Sequence, residues 1–438
     1  MSAAPRWFGR PAAILAAALA LRLLLVLPAL GSPPFSDEAD YHQLACNLAA
    51  GRGYVGEDGR PTAWRPPLWP AAMAVVYRVA GDRPAAARLA QVVLGTLLVG
   101  LVLALAAAVE PDDRAATALA GWWATLSPAL LYYSCSLFSE TLYALCLAAS
   151  LLLLLRPRRR WSAVAAGVLL GLACLARGAT LVLAPLLLLW LGRRDGWRAA
   201  AALAAGLALS VGPWTARNAA VLGAPIPVDT NGAANFFWGN HPQAPLLRAW
   251  DIVERPDKPS PVVPPGAGEV AAERAALAQA SAFVGAAPGR FGLGLVLKSG
   301  NLWGLERGLA SGLRAGLFGS RGTLLVVPAA LWGLLDTALL LSLAILGLAR
   351  ARRRDAVWLA LAVMASLTLV HAASYGHSRY RFGALPLLLV FAAQAAADWR
   401  REGRPRPPRW ARAAIALALI NLAYEAIVLE FAHRCGWV

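Results

Sequence analysis

Residues 84–109 read PAAARLAQVVLGTLLVGLVLALAAAV, a run of 26 residues whose only charge is Arg88. A helix needs about 20 apolar residues to cross the ~30 Å hydrocarbon layer of a bilayer, so this block is long enough on its own. Its apolar residues are continuous rather than alternating. That suits a helix and not a barrel strand, the two forms that satisfy their backbone groups in lipid. The same reading extends to blocks at roughly 11–30, 116–138, 140–155, 161–176, 178–192 and 198–213. After a long polar interval it extends to 322–349, 355–374, 382–398 and 410–430. Together they predict an all-α polytopic membrane protein with about eleven crossings. A Pro-flanked stretch at 66–80 is too short to cross and is expected to be interfacial or re-entrant.

Composition agrees. Apolar residues make up 59% and charged residues 15%, where a soluble domain has about half and a quarter. Mean hydropathy is +0.55. In a soluble chain a formal charge of +17 would suggest nucleic acid. Here the arginines sit in short clusters between apolar blocks, as topology signals do, and no nucleic-acid partner is expected. Cys46, Cys135, Cys146, Cys174 and Cys435 show no metal-like spacing, and three of them fall inside expected spans, where a thiol acts as a small hydrophobe. The first block follows Arg6 and Arg10 as a signal peptide would, but it is read as retained because the acidic motif after it depends on it for placement.

Basic residues set the orientation. With the N-terminus cytoplasmic, the inner turns hold Arg6/Arg10, Arg114, Arg156/Arg158/Arg159/Arg160, Arg193/Arg194/Arg198, Arg350/Arg352/Arg353/Arg354 and six arginines from Arg400 to Arg412. A comparable number lies outside, but is spread over two long loops that count little. The chain then divides into a membrane domain at 1–349, with a first outer loop at 31–83 and a long outer loop at 214–321, and closing helices at 350–438. The long loop is expected to contain turns at 231–232 and 239–242, a Pro-rich part from Pro256 to Gly268, a helical stretch and an interfacial segment near 291–298. No internal repeat is visible.

This topology gathers several polar motifs on the outer side: Ser36-Asp37-Glu38, Arg65-Pro66-Pro67, Glu140, Arg177, Pro213-Trp214-Thr215-Ala216-Arg217-Asn218 and His377-Ser378-Arg379-Tyr380-Arg381. Asp37 or Glu38, directly after the first span, can serve as general base on a hydroxyl; equally, Ser36 can cap a helix at 37–50 whose positive end favours both acids. Arg65 lies between Trp64 and Trp69 in a rigid proline run, suited either to a phosphate or to snorkelling at the interface. Glu140 starts a span after an aromatic stretch, and an ionisable group at membrane depth is a functional candidate or merely a helix start. Arg177 reads as a ligand or a turn residue. His377, Arg379 and Arg381, with Tyr375 and Tyr380, form an outward cationic cluster suited to an anion. Arg22 inside the first span is left unassigned.

The chain resembles polytopic glycosyltransferases of the GT-C superfamily, in the branch of protein O-mannosyltransferases and lipid A aminoarabinose and galacturonic acid transferases. The similar stretches are FSDEADYHQLACNLAAGRGY, TAWRPPLWP, LFSETLYALCLAASLLLLL, PWTARNAAVLG, NGAANFFWGNHPQA and HSRYRFGALPLLL. The resemblance implies an inverting sugar transfer from a polyprenyl-phosphate donor to a lipid, glycan or protein hydroxyl, at the extracytoplasmic face of the plasma (inner) membrane. It implies Asp37 as general base, Arg65 on the donor phosphate and Glu140 arranging substrates, with Glu38 beside the base. The substrate-binding set is completed by Arg177, Arg217, Asn218, His377, Arg379, Tyr380 and Arg381. The chain departs from the family in ending soon after the last span and in reading Ala287-Pro288 where a His-Pro is frequent. No Walker loop, HExxH, GxSxG or dinucleotide fingerprint is present, so no soluble cofactor is expected, and a divalent cation is left open. A transporter or lipid flippase is the alternative, although paired halves and midplane polar breaks are lacking; a membrane scaffold that binds a partner through 214–321 is a third.

Overall fold

The computed structural model describes residues 9–156, 161–254, 258–403 and 407–427. Arg6, Arg158, Arg159, Arg160, Pro256, Arg404, Arg406, Cys435 and residues 428–430 of the last expected span lie outside them. The described residues form helices, turns and one isolated β-bridge, Val55–Pro61. In chain order the helices are α1 (Pro11–Val26), α2 (Asp37–Ala49), α3 (Leu68–Ala80), α4 (Pro84–Val109), α5 (Arg114–Leu126), α6 (Pro128–Tyr133), α7 (Glu140–Leu155), α8 (Ser162–Ala176), α9 (Leu183–Asp195) and α10 (Trp197–Leu222). They continue with α11 (Asn231–Gly239), α12 (Asp251–Glu254), α13 (Glu269–Ala286), α14 (Pro288–Leu302), α15 (Gly308–Arg314), α16 (Val326–Arg350), α17 (Arg354–Ala373), α18 (Leu385–Glu402) and α19 (Arg409–Tyr424). A 3-10 turn, Ser378–Ala384, leads into α18.

The protein is an all-α polytopic membrane protein. Among the described residues seven helices are long and apolar enough to cross, and eight if α13 and α14, bent by 107°, count as one span. The expected eleven is not reached by length. The other four candidates, α5, α7, α8 and α9, are only 13 to 16 residues long. The block expected at 116–138 breaks at Ser127, because Pro128 cannot donate to the preceding turn and opens a new helix, α6. The span expected to end at residue 213 instead continues to Leu222 with Pro213 inside it. Pro213 lies on the exposed side of α10 and the helix runs on past it, so PWTARN is helical and the long outer loop starts nine residues later than expected.

Small residues set the closest contacts. A Cβ on Gly167 would come within 2.1 Å of Leu203 O, and one on Gly206 within 2.2 Å of Val164 O, so α8 and α10 pack backbone to backbone. At one end of the bundle the basic turns meet: Arg353 donates to the carbonyls of Ala108 and Leu155, Arg194 donates to Leu154 O at 3.1 Å, and Arg401 pairs with Asp113 at 2.6 Å. Helix α7 runs from that end, at Leu155, to Glu140, about 24 Å away at 1.5 Å per residue. Arg22, buried in α1, satisfies itself on Ser134 Oγ, Ala18 O and Ala124 O.

Candidate active site

At the Glu140 end, five helices and turns converge on an ion network. Asp37 opens α2. Its Oδ1 accepts from Arg65 Nη2 at 2.6 Å and its Oδ2 from Arg379 Nη1 at 2.7 Å. Arg65 also binds Asp40 at 2.7 and 2.9 Å through Nη2 and Nε. Arg379 and Arg177 both donate to Oε1 of Glu140, which opens α7 and is wholly buried. Aromatic rings back the guanidiniums: Arg65 lies over Tyr41 and Trp64, Arg177 over Tyr143 and Tyr380, and Arg379 over Phe138 at 4.3 Å. Burial would raise the Asp37 carboxyl, yet Arg65, Arg379 and Arg177 together hold it well below the usual carboxylate range.

These groups border a cavity of about 800 Å³ lined by Asp37, Asp40, Arg65, Arg177, Arg379 and Tyr380, among others. The chain thus brings together Asp37, Arg65, Glu140, Arg177, Arg379 and Tyr380 from segments far apart in sequence. Ser36 precedes them with φ +52° and makes no side-chain cap, contrary to the capping alternative; the backbone turns sharply there to aim Asp37 at the arginines.

Other expected site residues are placed elsewhere. Glu38 is one residue on from Asp37, hence turned about 100° around the helix. It is fully buried, accepts from Leu137 N–H at 2.8 Å and pairs with Arg88 at 3.3 Å, so it anchors α2 to α4 rather than facing the cavity. Arg217 donates to Thr62 O and Tyr54 O at 2.7 and 2.8 Å, and Asn218 donates to Ile226 O; both staple the outer loops to the end of α10. Arg381 is buried on the carbonyl of Gly304 and beside Glu306, away from the Asp37 network. His377 accepts from Arg379 N–H at 3.0 Å and packs edge-on against Trp250. Burial, and then Arg307 and Arg379, push its pKa well below 6.5, so it is neutral and no third cation. Trp69 is buried too, donating to Leu137 O, and leaves Trp64 as the aromatic partner of Arg65.

The structure adds Asp40 and Asp229. Asp40 was detectable: it stands one helical turn after Asp37, on the same face. Asp229 lies in a loop without any sequence signal. Among the described residues no group of three or more His, Cys, Asp or Glu is placed to hold a metal ion.

Neither a protein-family model nor a curated protein matches the chain. Solved structures do. ArnT from Cupriavidus metallidurans bound to undecaprenyl phosphate aligns over 93% of this chain at 17% identity, with a TM-score of 0.50. The chain covers 62% of ArnT, less than two thirds of its length. The Archaeoglobus fulgidus oligosaccharyltransferase in complex with Zn and sulfate gives a weaker likeness: 97% of this chain, 52% of that one, 16% identity and a TM-score of 0.46. The chain shares the polytopic helical fold of ArnT.

Proposed function

From that fold, we propose that the protein is a glycosyltransferase that moves a sugar from a polyprenyl-phosphate donor to a hydroxyl of a lipid, glycan or protein acceptor. The observation that carries this reading is a single carboxylate, Asp37, shared by two arginines that reach the cavity from distant parts of the chain. Phosphate recognition calls for such fixed guanidinium forks. ArnT, whose fold is shared, was solved with undecaprenyl phosphate bound.

The acceptor oxygen attacks the anomeric carbon, the bond from that carbon to the phosphate oxygen breaks, and configuration inverts. The hydroxyl proton passes to Asp37. The departing polyprenyl phosphate gains one negative charge as the bond breaks, and Arg65 and Arg379 stabilise it. Two guanidiniums make Asp37 a weak base in the empty cavity. A donor phosphate competing for Arg65 and Arg379 releases the carboxylate, so its basicity rises when donor is in place. Arg177 supports the same anion, Glu140 positions Arg177 and Arg379, and Glu38 positions α2. On this reading the cavity opens on the extracytoplasmic face of the plasma membrane, with the N-terminus cytoplasmic and the donor tail in the bilayer; the arginine-rich turns at the opposite end support that orientation.

The test is turnover. The full chain in proteoliposomes, given a labelled polyprenyl-phosphate sugar and membrane extract as acceptor source, is expected to release polyprenyl phosphate and label the acceptor. Binding without release, or movement of the lipid-sugar across the bilayer without bond cleavage, would overturn the assignment.

A further inference from the structure

The cavity has a second wall, beside the arginine network and built from other residues. Asp229 stands in the loop between α10 and α11. Its Oδ1 accepts from Gly232 N–H at 3.2 Å. Its other oxygen lies over Gly178, where a Cβ would come within 2.4 Å of Oδ2. The residue after Arg177 is therefore a glycine that leaves room for a carboxylate. No salt bridge engages Asp229 among the described residues. Asn231 and Asn235 line the same wall, and Tyr375 donates to Asn235 Oδ1 at 3.1 Å. Phe236 supplies an apolar face, while Trp64 and Trp238 each carry a cation over one face, Arg65 and Lys258. A carboxylate, two amides and a phenol set against an aromatic face pair with the hydroxyls of a sugar ring and cover its C–H side.

The ring in question is the donor's. Asp229 lies over Gly178, the residue after Arg177, and shares the cavity with Arg65, so this wall adjoins the place assigned above to the donor phosphate and a ring esterified to that phosphate sits beside it. Burial pushes the Asp229 carboxyl up to about 6 against the pull of both arginines, which leaves it ionised at neutral pH.

We propose that Asp229 is the charge filter of the donor-sugar subsite, accepting a neutral or amino sugar and rejecting a uronic acid, whose carboxylate would face its own. The inference rests on the polyprenyl-phosphate reading above. A like charge a few ångströms away in a partly buried site weakens binding by about tenfold or more.

Three probes test it on the full-length protein in nanodiscs, at neutral pH: polyprenyl phosphate without sugar, polyprenyl-phosphate hexose and polyprenyl-phosphate hexuronate. The hexose probe is expected to bind about tenfold or more tighter than the hexuronate. Asp229→Asn should bring the two within about threefold, a difference under 1 kcal/mol, and leave the sugarless probe unchanged. Gly178→Ala, which displaces the carboxylate, should reduce the preference in the same direction and provides a second variant should the first fail to fold. Equal binding of hexose and hexuronate by the wild type would overturn the filter, as would an Asp229→Asn variant that weakens all three probes alike. In either case, binding of the sugarless probe would keep the donor reading intact. A wild type that does not bind the sugarless probe would remove both.

Discussion

Glu140 is the residue on which the ion network turns. Its side chain has no exposure, one oxygen receives both Arg177 and Arg379, and the other has no hydrogen-bond partner among the described residues. A buried carboxylate between two guanidiniums offers little net stability against an apolar replacement of the whole cluster, but removing it alone takes the carboxylate from Arg177 and leaves Arg379 with Asp37 as its remaining partner. Glu140→Ala is therefore expected to destabilise the protein by about 3–5 kcal/mol, read as a lower unfolding midpoint in detergent. A midpoint unchanged from wild type would show that Arg177 and Arg379 find other partners. At this scale the sequence was half legible. Asp37, Arg65, Glu140 and Arg379 could be picked out because their positions beside apolar blocks put them at one membrane face. Asp40 could have been picked out with them by its spacing from Asp37, whereas the partners that turn Glu38 away, Arg88 and the Leu137 N–H, come from α4 and the turn before α7 and leave no mark in the sequence.

Among the elements, α8 delivers Arg177 and α10 braces it. Their contact depends on Gly167 and Gly206, each facing a carbonyl of the other helix. Gly206→Leu is expected to cost about 1–3 kcal/mol by overpacking and, by pushing α8 aside, to reduce transfer although residue 206 is far from the cavity in sequence. A variant with lower stability and full activity would show that Arg177 is held by Glu140 alone. The helices themselves were readable from apolar run length. Their ends were not, and the errors have definite causes. Pro128 splits a run of uniform hydropathy, while Pro213 lies on an exposed face inside a helix that continues past it. The same residue type opens a new helix at one position and is carried within a helix at the other.

In the whole molecule, charge is sorted by end. Arg194, Arg353 and Arg401 close one end of the bundle on backbone carbonyls and Asp113, while Arg65, Arg177 and Arg379 gather at the other around Asp37 and Glu140. The sorting by end could be anticipated from the alternation of spans; the side on which Asp229 and the long outer loop close the cavity could not, since it depends on contacts such as Gly239 against the carbonyl of Ser374. What this arrangement is for comes down to Asp37. The most direct measurement is release of polyprenyl phosphate by Asp37→Asn, compared with wild type inserted at equal density and shown by thermal unfolding to be folded. Loss of general-base catalysis predicts a fall of about 10²–10⁴-fold in turnover, with the donor still bound through Arg65 and Arg379. Turnover equal to wild type would contradict the assignment of this cavity as the place where the sugar changes hands.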